Sequence, residues 1–228
     1  PVVFSGIIAS HFSPAVGNCG EPGLHGVSGI RGHFLSAPVP ADDRRYMAAA
    51  IALSGRGRGL STPNPNVGCL IVQDGRVVGR GWTQKGGRPH AEAQALDQAM
   101  DRARGATAYV TLDPCFHLSP RGPRCADLMA RAGVSRVVIA LRDPDPRTDG
   151  QGAAWLRDRG VTVDMGLMAQ EAAAAMAGFV LRQTRGRPHV TLKLGLSLDG
   201  RIALANGSSR WITGPEARAH AHVERARH

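Results

Sequence analysis

The sequence has little of three features that define common protein classes. No apolar run approaches the ~18 residues that a membrane-spanning helix requires. Cysteine occurs four times in 228 residues, which does not suggest a disulfide scaffold. Aromatic residues make up only 4% of the chain, so a core must rest on aliphatic side chains. No basic leader precedes the first apolar residues, so a secretory signal is not expected. These absences predict a cytoplasmic protein with no membrane partner.

Lysine is also scarce, although the formal net charge is +10. Lys85 and Lys193 are the two lysines, and arginine supplies the remaining positive charge. The arginines are spread along the chain without a dense basic run. We therefore expect no nucleic-acid partner, because a small substrate that carries phosphate accounts for the excess equally well.

Composition divides the chain into three parts. Residues 1–40 are rich in Gly, Pro and Ser without periodicity and are predicted to be a disordered leader. Residues 41–184 are predicted to form a catalytic domain. Residues 185–228 begin with a Gly- and Pro-containing linker and are predicted to be the truncated start of a second domain. Apolar strands left exposed there would favour association, which leaves a homo-oligomer open.

Between residues 41 and 184, helical and strand-like segments alternate. Asp42-Asp43 marks a helix start, and Asp74-Gly75 marks a tight hairpin between two strands. Helices are predicted at 90–104, 125–132, 153–159 and 169–182, with strands at 67–72, 76–82, 106–112, 136–141 and 161–165. In the last part, strands are predicted at 189–196 and 201–205 and a helix at 214–227. This order predicts an α/β fold, a three-layer α/β/α sandwich whose mixed, mostly parallel sheet opens with a hairpin.

The pattern His90-Ala91-Glu92, followed by Pro114-Cys115 and Cys125, carries the chemistry. His90, Cys115 and Cys125 are predicted to be the three ligands of a catalytic zinc ion. Glu92 is predicted to stay off the metal and to carry protons, as zinc deaminases require. A structural site with His117 as a fourth ligand is the less favoured alternative.

Six motifs resemble the bacterial family of bifunctional riboflavin-biosynthesis deaminase/reductases. They are Ser61-Thr62-Pro63-Asn64-Pro65-Asn66-Val67-Gly68, Pro89-His90-Ala91-Glu92, Thr111-Leu112-Asp113-Pro114-Cys115, Asp143-Pro144-Asp145-Pro146, Leu192-Lys193-Leu194 with Ser197-Leu198-Asp199-Gly200, and Trp211-Ile212-Thr213-Gly214. The resemblance covers the chain from about Asp42 to its end. It implies a cytidine-deaminase-like fold, and zinc-dependent deamination of 2,5-diamino-6-ribosylamino-4(3H)-pyrimidinone 5′-phosphate as the activity.

The resemblance also implies roles for individual residues. Asn64, His117, Asp143 and Asp145 match positions that contact the pyrimidine substrate. In the partial reductase domain, Gly195 and Trp211 match positions that contact the nicotinamide cofactor, while Ser209 and Arg225 match substrate contacts. NADPH is expected only in a full-length form with a complete reductase domain, and no reductase activity is expected of residues 185–228.

The sequence departs from the family at several positions near the site. Thr83 replaces a usual His, Asp113 a usual Glu and Asp145 a usual Asn. Nine residues separate Cys115 from Cys125, one more than usual. Arg121 and Arg124 are either substitute phosphate contacts or solvated surface side chains, and the sequence favours neither.

Two other functions stay open on the sequence. A deaminase of RNA bases would carry Pro-Cys-x-x-Cys and a basic stripe, and both features are absent. A degenerate fragment that binds zinc without turnover remains the second alternative.

Overall fold

The structure is a computed structural model that describes residues 41–228. The predicted leader, residues 1–40, lies outside the described residues. Contact density separates two units, one that includes residues 41–190 and one that includes Thr191–Ala226. Each unit is described by itself.

A five-stranded mixed sheet organises the first unit. Its strands are β1 (Gly68–Gln73), β2 (Arg76–Trp82), β3 (Thr107–Leu112), β4 (Arg136–Leu141) and β5 (Thr162–Met165). The spatial order is β2-β1-β3-β4-β5. β1 pairs antiparallel with both β2 and β3, whereas β3–β4 and β4–β5 are parallel. Four strands thus run in one direction and β1 runs against them, which confirms the predicted mixed sheet opened by a hairpin.

Helices cover both faces of this sheet. They are α1 (Ala41–Ser54), α2 (Ala91–Ala99), α3 (Cys125–Arg131), α4 (Gln151–Arg157), α5 (Ala169–Ala175) and α6 (Ala177–Arg185). Because successive strand residues face opposite sides, Cys69 and Ile71 join the core under α2, α3 and α4. Leu70 and Val72 join a second core under α1 and α5. The three-layer α/β/α sandwich is confirmed.

The hairpin turn and the packing of one helix on the sheet both depend on local backbone geometry. Asp74 and Gly75 both have positive φ, at 49° and 72°, as the tight turn between β1 and β2 requires. In β2, a Cβ at Gly79 would lie 2.1 Å from the Ala95 carbonyl oxygen, and one at Gly81 would lie 2.1 Å from that of Ala91. Helix α2 therefore rests directly on the backbone of β2.

One predicted helix, at 169–182, is wrong as a continuous element. The chain leaves helical geometry at Met176, where φ is −122° and ψ is 32°. Met176 is 2% exposed and belongs to the core beneath α2–α4, whereas Ala172 belongs to the core on the other face. The break lets one segment contribute to both cores, which a periodic reading of the sequence does not reveal.

In the second unit, the strands predicted at 189–196 and 201–205 are wrong. The described residues there form turns and one helix, α7 (Pro215–Ala226), with no strand. A turn at Ser197–Arg201 closes through the Ser197 amide, which donates to the Arg201 carbonyl at 2.9 Å. An isolated hairpin is marginal in water, because its backbone groups need further strands and its apolar face needs cover.

Within residues 41–228, helices long and apolar enough to cross a bilayer are absent.

Candidate active site

The sheet brings distant parts of the sequence to one edge. β2, β3 and β4 run in the same direction, so the segments that follow them emerge at the same end of the sheet. His90 lies after β2, Cys115 after β3, and Asp143 after β4. Asn64 precedes the antiparallel strand β1, which places it at this edge as well. The sheet topology thus brings motifs that are far apart in the sequence to the same edge.

His90, Cys115 and Cys125 form a potential metal-binding group in the described residues, with ligand atoms within 4.8 Å of one another. His90 Nδ1 lies 3.3 Å from the Cys125 sulfur and 3.5 Å from the Cys115 sulfur. Both cysteines are buried and form no disulfide. His117 does not belong to the group; its Nδ1 lies 3.4 Å from Thr148 Oγ1. Three protein ligands, rather than four, are the number that a catalytic zinc site uses.

Glu92 lies in the first turn of helix α2, two residues after His90, and is 3% exposed. Its Oε2 is buried and has no hydrogen-bond partner among residues 41–228. Burial raises the pKa of this carboxyl above its usual range, and the nearby Cys115 adds to the shift. A buried carboxylate with a free oxygen beside a His/Cys/Cys group fits a zinc ion that carries an attacking water, because the water would satisfy the oxygen.

The pKa values of the two cysteines shift in opposite directions. A hydrogen bond from the Cys125 thiol lowers the pKa of Cys115, while the neighbouring Cys115 sulfur raises the pKa of Cys125. The Cys125 amide, at the start of α3, also points to the Cys115 sulfur at 3.4 Å. The site therefore stabilises a thiolate, the form that binds metal.

Asn64 holds the His90 ring from the other side. Its Nδ2 lies 2.9 Å from His90 Nε2 and donates to the Gly87 carbonyl at 2.9 Å. A Cβ at Gly87 would lie 2.7 Å from the Asn64 side chain, so this contact needs glycine there. Asn64 thus orients the imidazole whose Nδ1 faces the sulfurs, which the sequence pattern did not show.

Two further carboxylates lie at this edge. Burial, followed by the charge of Asp143, raises the pKa of Asp113 to about 7. Burial also raises the pKa of Asp143, to about 6. Both oxygens of Asp113 are buried without hydrogen-bond partners among the described residues. Asp113 and Asp143 therefore hold protons to a higher pH than ordinary aspartates do.

A cavity of about 320 Å³ contains the predicted zinc ligands His90 and Cys115, with Glu92, and falls within the range of small-molecule sites. The predicted substrate contacts Asn64, His117, Asp143 and Asp145 all line it. Further lining residues were not predicted as contacts, and among them are Arg88, Arg147, Phe179, Arg182 and Gln183. Helix α6, which supplies the last three, lies about 90 positions from the zinc motif and carries no sequence signal of this role.

The two arginines of the loop between Cys115 and Cys125 have different surroundings. Arg121 lines the cavity and donates to the Gly86 carbonyl at 2.5 Å. Arg124 does not line it; its guanidinium lies 4.5 Å from the centre of the Phe116 ring, which in turn contacts Trp155 with ring centres 4.8 Å apart. The geometry thus gives Arg124 a place against Phe116, and its contact with phosphate stays a prediction.

Thr83, where the sequence departs from the family, does not line this cavity. Thr83 is 1% exposed and its hydroxyl accepts the Val67 amide hydrogen at 3.0 Å, so it supports the start of β1. A second cavity, of about 460 Å³, is lined by residues of the loop between Cys115 and Cys125 and of α3. Arg124 lines it, but no residue of the His/Cys/Cys group does.

The predicted reductase residues lie in the second unit. Gly195 is half-buried, whereas Ser209, Trp211 and Arg225 are exposed. None of the four lines either cavity described above. Arg225 Nη1 lies 3.4 Å from His222 Nδ1 on the same helix. Their assignment to a cofactor site stays a prediction.

Comparison with known proteins agrees with this geometry. Residues 40–141 match the family described as "Cytidine and deoxycytidylate deaminase zinc-binding region", and residues 188–228 match the "RibD C-terminal domain". The riboflavin biosynthesis protein RibD of Escherichia coli is 50% identical over 184 residues, covering 81% of this chain and 50% of that protein.

Solved structures give the same relationship. RibD of Acinetobacter baumannii matches with a TM-score of 0.73 and 46% identity, over 81% of this chain and 52% of that one. The diaminohydroxyphosphoribosylaminopyrimidine deaminase/5-amino-6-(5-phosphoribosylamino)uracil reductase of Thermotoga maritima matches with a TM-score of 0.75 and 38% identity, over 81% and 53%. The chain spans about half the length of the curated relatives it matches. The motifs, the sheet and the His/Cys/Cys group agree with these matches. This chain therefore belongs to the RibD family of riboflavin biosynthesis proteins.

Proposed function

We propose that this chain catalyses the hydrolytic deamination of 2,5-diamino-6-ribosylamino-4(3H)-pyrimidinone 5′-phosphate, with zinc as its metal. The observation that carries the proposal is the buried Glu92, whose free oxygen lies in the same cavity as His90 and Cys115. The names of the relatives support the choice of substrate class, since the Thermotoga maritima protein is a deaminase of this kind of phosphoribosylated pyrimidine.

His90, Cys115 and Cys125 would hold the zinc ion. When bound, zinc supplies a Lewis acid that makes water nucleophilic near neutral pH. Glu92 takes the proton from the attacking water as the new carbon–oxygen bond forms. It then delivers a proton to the exocyclic nitrogen, so that the carbon–nitrogen bond breaks and ammonia leaves.

The remaining cavity residues bind and orient the substrate. Asn64, His117, Asp143 and Asp145 offer donors and acceptors to the ring and its amino groups. Arg88, Arg121 and Arg182 line the same cavity and supply positive charge for the phosphate. A small phosphorylated pyrimidine, not a nucleic acid, is the partner that this arrangement fits.

The same proposal places the protein in the cytoplasm, where cysteines stay reduced and can bind metal. The NADPH-dependent reduction is proposed for the family's complete reductase domain, of which residues 188–228 match a part. We assign no reductase step to Gly195, Ser209, Trp211 and Arg225 on their own.

A single comparison tests the deaminase. Zinc content and ammonia release are measured for the parent and for Glu92→Gln with the diaminopyrimidine phosphate as substrate. We expect about one zinc per chain in both proteins, and turnover lower by roughly 10²–10⁴-fold in the variant. Bound zinc without ammonia release in either protein would mean that the chain is a zinc-binding fragment and not a deaminase. Equal turnover in both would remove Glu92 from the chemistry.

A further inference from the structure

Asp145 and Arg147 form the tightest ion pair at the cavity wall. Arg147 Nε lies 3.0 Å from each Asp145 carboxylate oxygen, and Arg147 Nη2 lies 2.5 Å from Oδ2. The Arg147 amide also donates to Oδ1 at 3.0 Å. The Asp145 side chain is 9% exposed and the Arg147 side chain 67%, and both line the cavity. The arginine thus covers a carboxylate that faces inward.

The surroundings of Asp145 explain why a covering cation matters. The carboxyl side chains of Glu92, Asp113 and Asp143 line the same cavity, and Asp143 Oδ1 accepts the Asp145 amide hydrogen at 2.9 Å. Hydrogen bonds from Arg147 lower the pKa of Asp145, with a smaller contribution from the charge of His117. Asp145 is therefore ionised in a cavity that must accept a phosphate ester. An uncovered carboxylate there would repel the substrate, because Coulomb energies are large in a site with little water.

We propose that Arg147 is a positioning and specificity residue, which cancels the charge of Asp145 and fixes its oxygens as acceptors for the amino groups of an anionic pyrimidine. This inference rests on the proposed function. With Arg147 bound to it, Asp145 supplies an oriented acceptor in a pair whose net charge is zero. Arg147 acts through Asp145 and need not touch the substrate.

A double-mutant cycle tests the inference. Dissociation constants of the zinc-loaded protein for the diaminopyrimidine phosphate are measured by calorimetry in the Glu92→Gln background, which separates binding from turnover. The variants are Arg147→Ala, Asp145→Asn and the pair together, with the melting temperature of each. We expect Arg147→Ala to weaken binding by at least tenfold when Asp145 is present, and by less than threefold when residue 145 is Asn.

The matched control is Arg142→Ala. Arg142 pairs with Asp149 at 2.9 Å near the same loop, both side chains are more than half exposed, and neither lines the cavity. Like Arg147→Ala, the Arg142→Ala variant removes one positive charge, but from outside the cavity. We therefore expect its dissociation constant to stay within twofold of that of the Glu92→Gln reference.

Three results would overturn the inference. An equal loss in both backgrounds would mean that Arg147 binds the phosphate directly. A lowered melting temperature with unchanged affinity would make the pair only structural. Absence of binding by the Glu92→Gln reference would overturn both this inference and the proposed function, whereas binding without turnover in the parent would overturn only the function.

Discussion

Asn64 and His90 are joined by a 2.9 Å contact between the Asn64 amide nitrogen and the imidazole Nε2. The other ring nitrogen, Nδ1, faces both cysteine sulfurs. One side chain therefore fixes the ring plane from behind while it also lines the substrate cavity. Asn64 therefore contacts a predicted metal ligand and lines the cavity at the same time.

Replacing Asn64 with Ala is expected to lower zinc affinity by roughly 10–100-fold, because the ring loses the partner that orients it. Competition with a chromogenic chelator measures this change. His117→Ala is the control, since His117 lines the same cavity outside the ligand group. Equal zinc affinities of the two variants would remove the orienting role of Asn64.

Asp113 should make stability depend on pH. Its pKa is about 7 in the folded chain, against an ordinary value of 3.8, so the folded state binds more protons between these limits. The stability that this group contributes is fully present below pH ~4 and is lost as the pH rises through ~7. For Asp113→Asn, we expect a gain over the parent that grows from pH 5 to pH 8, up to about 4 kcal/mol.

Chemical denaturation of both proteins after removal of zinc with a chelator, across this pH range, measures the gain. Asp158→Asn, at an exposed position just after α4, is the control and should show no such trend. A gain that stays constant with pH would contradict the buried, protonated state of Asp113.

At the opposite edge of the sheet, Asp43 ties helix α1 to two strands. It accepts hydrogen bonds from both terminal nitrogens of Arg136, at 3.1 and 2.8 Å, and from the Tyr109 hydroxyl at 2.6 Å. Burial opposes its ionisation, but these partners hold the pKa of Asp43 below its ordinary value. The stability from this group is therefore present above its unfolded pKa and lost in acid.

Asp43→Ala is expected to lower the free energy of unfolding by about 2–3 kcal/mol at pH 7, because Arg136 and Tyr109 lose a buried partner. The difference from the parent should shrink below pH 4. Turnover at 20 °C should change by less than twofold, since the site lies at the other end of the strands. Asp42→Ala removes an exposed pair with Arg45 and serves as the control. A large loss of turnover in folded Asp43→Ala would contradict this separation.

Periodicity and turn chemistry predicted the sheet and most helices. Asp74-Gly75 located the hairpin, and the strand at Arg136–Leu141 was predicted at its exact bounds. The proximity of His90, Cys115 and Cys125 followed from the pattern, because residue types and order reflect a fixed coordination chemistry. The break at Met176 was not predictable, since it depends on which core receives the side chain. The cavity role of Phe179, Arg182 and Gln183 was missed because tertiary packing alone brings α6 to the zinc edge.

The two glycines of β2 have a consequence for the chemistry. Helix α2, which carries Glu92, is kept at its distance from the sheet by the absence of side chains at Gly79 and Gly81. The adjacent strands carry the backbone on to Cys115. The spacing between Glu92 and Cys115 thus depends on two positions without a side chain, so a change that leaves both of these residues intact can still alter the site.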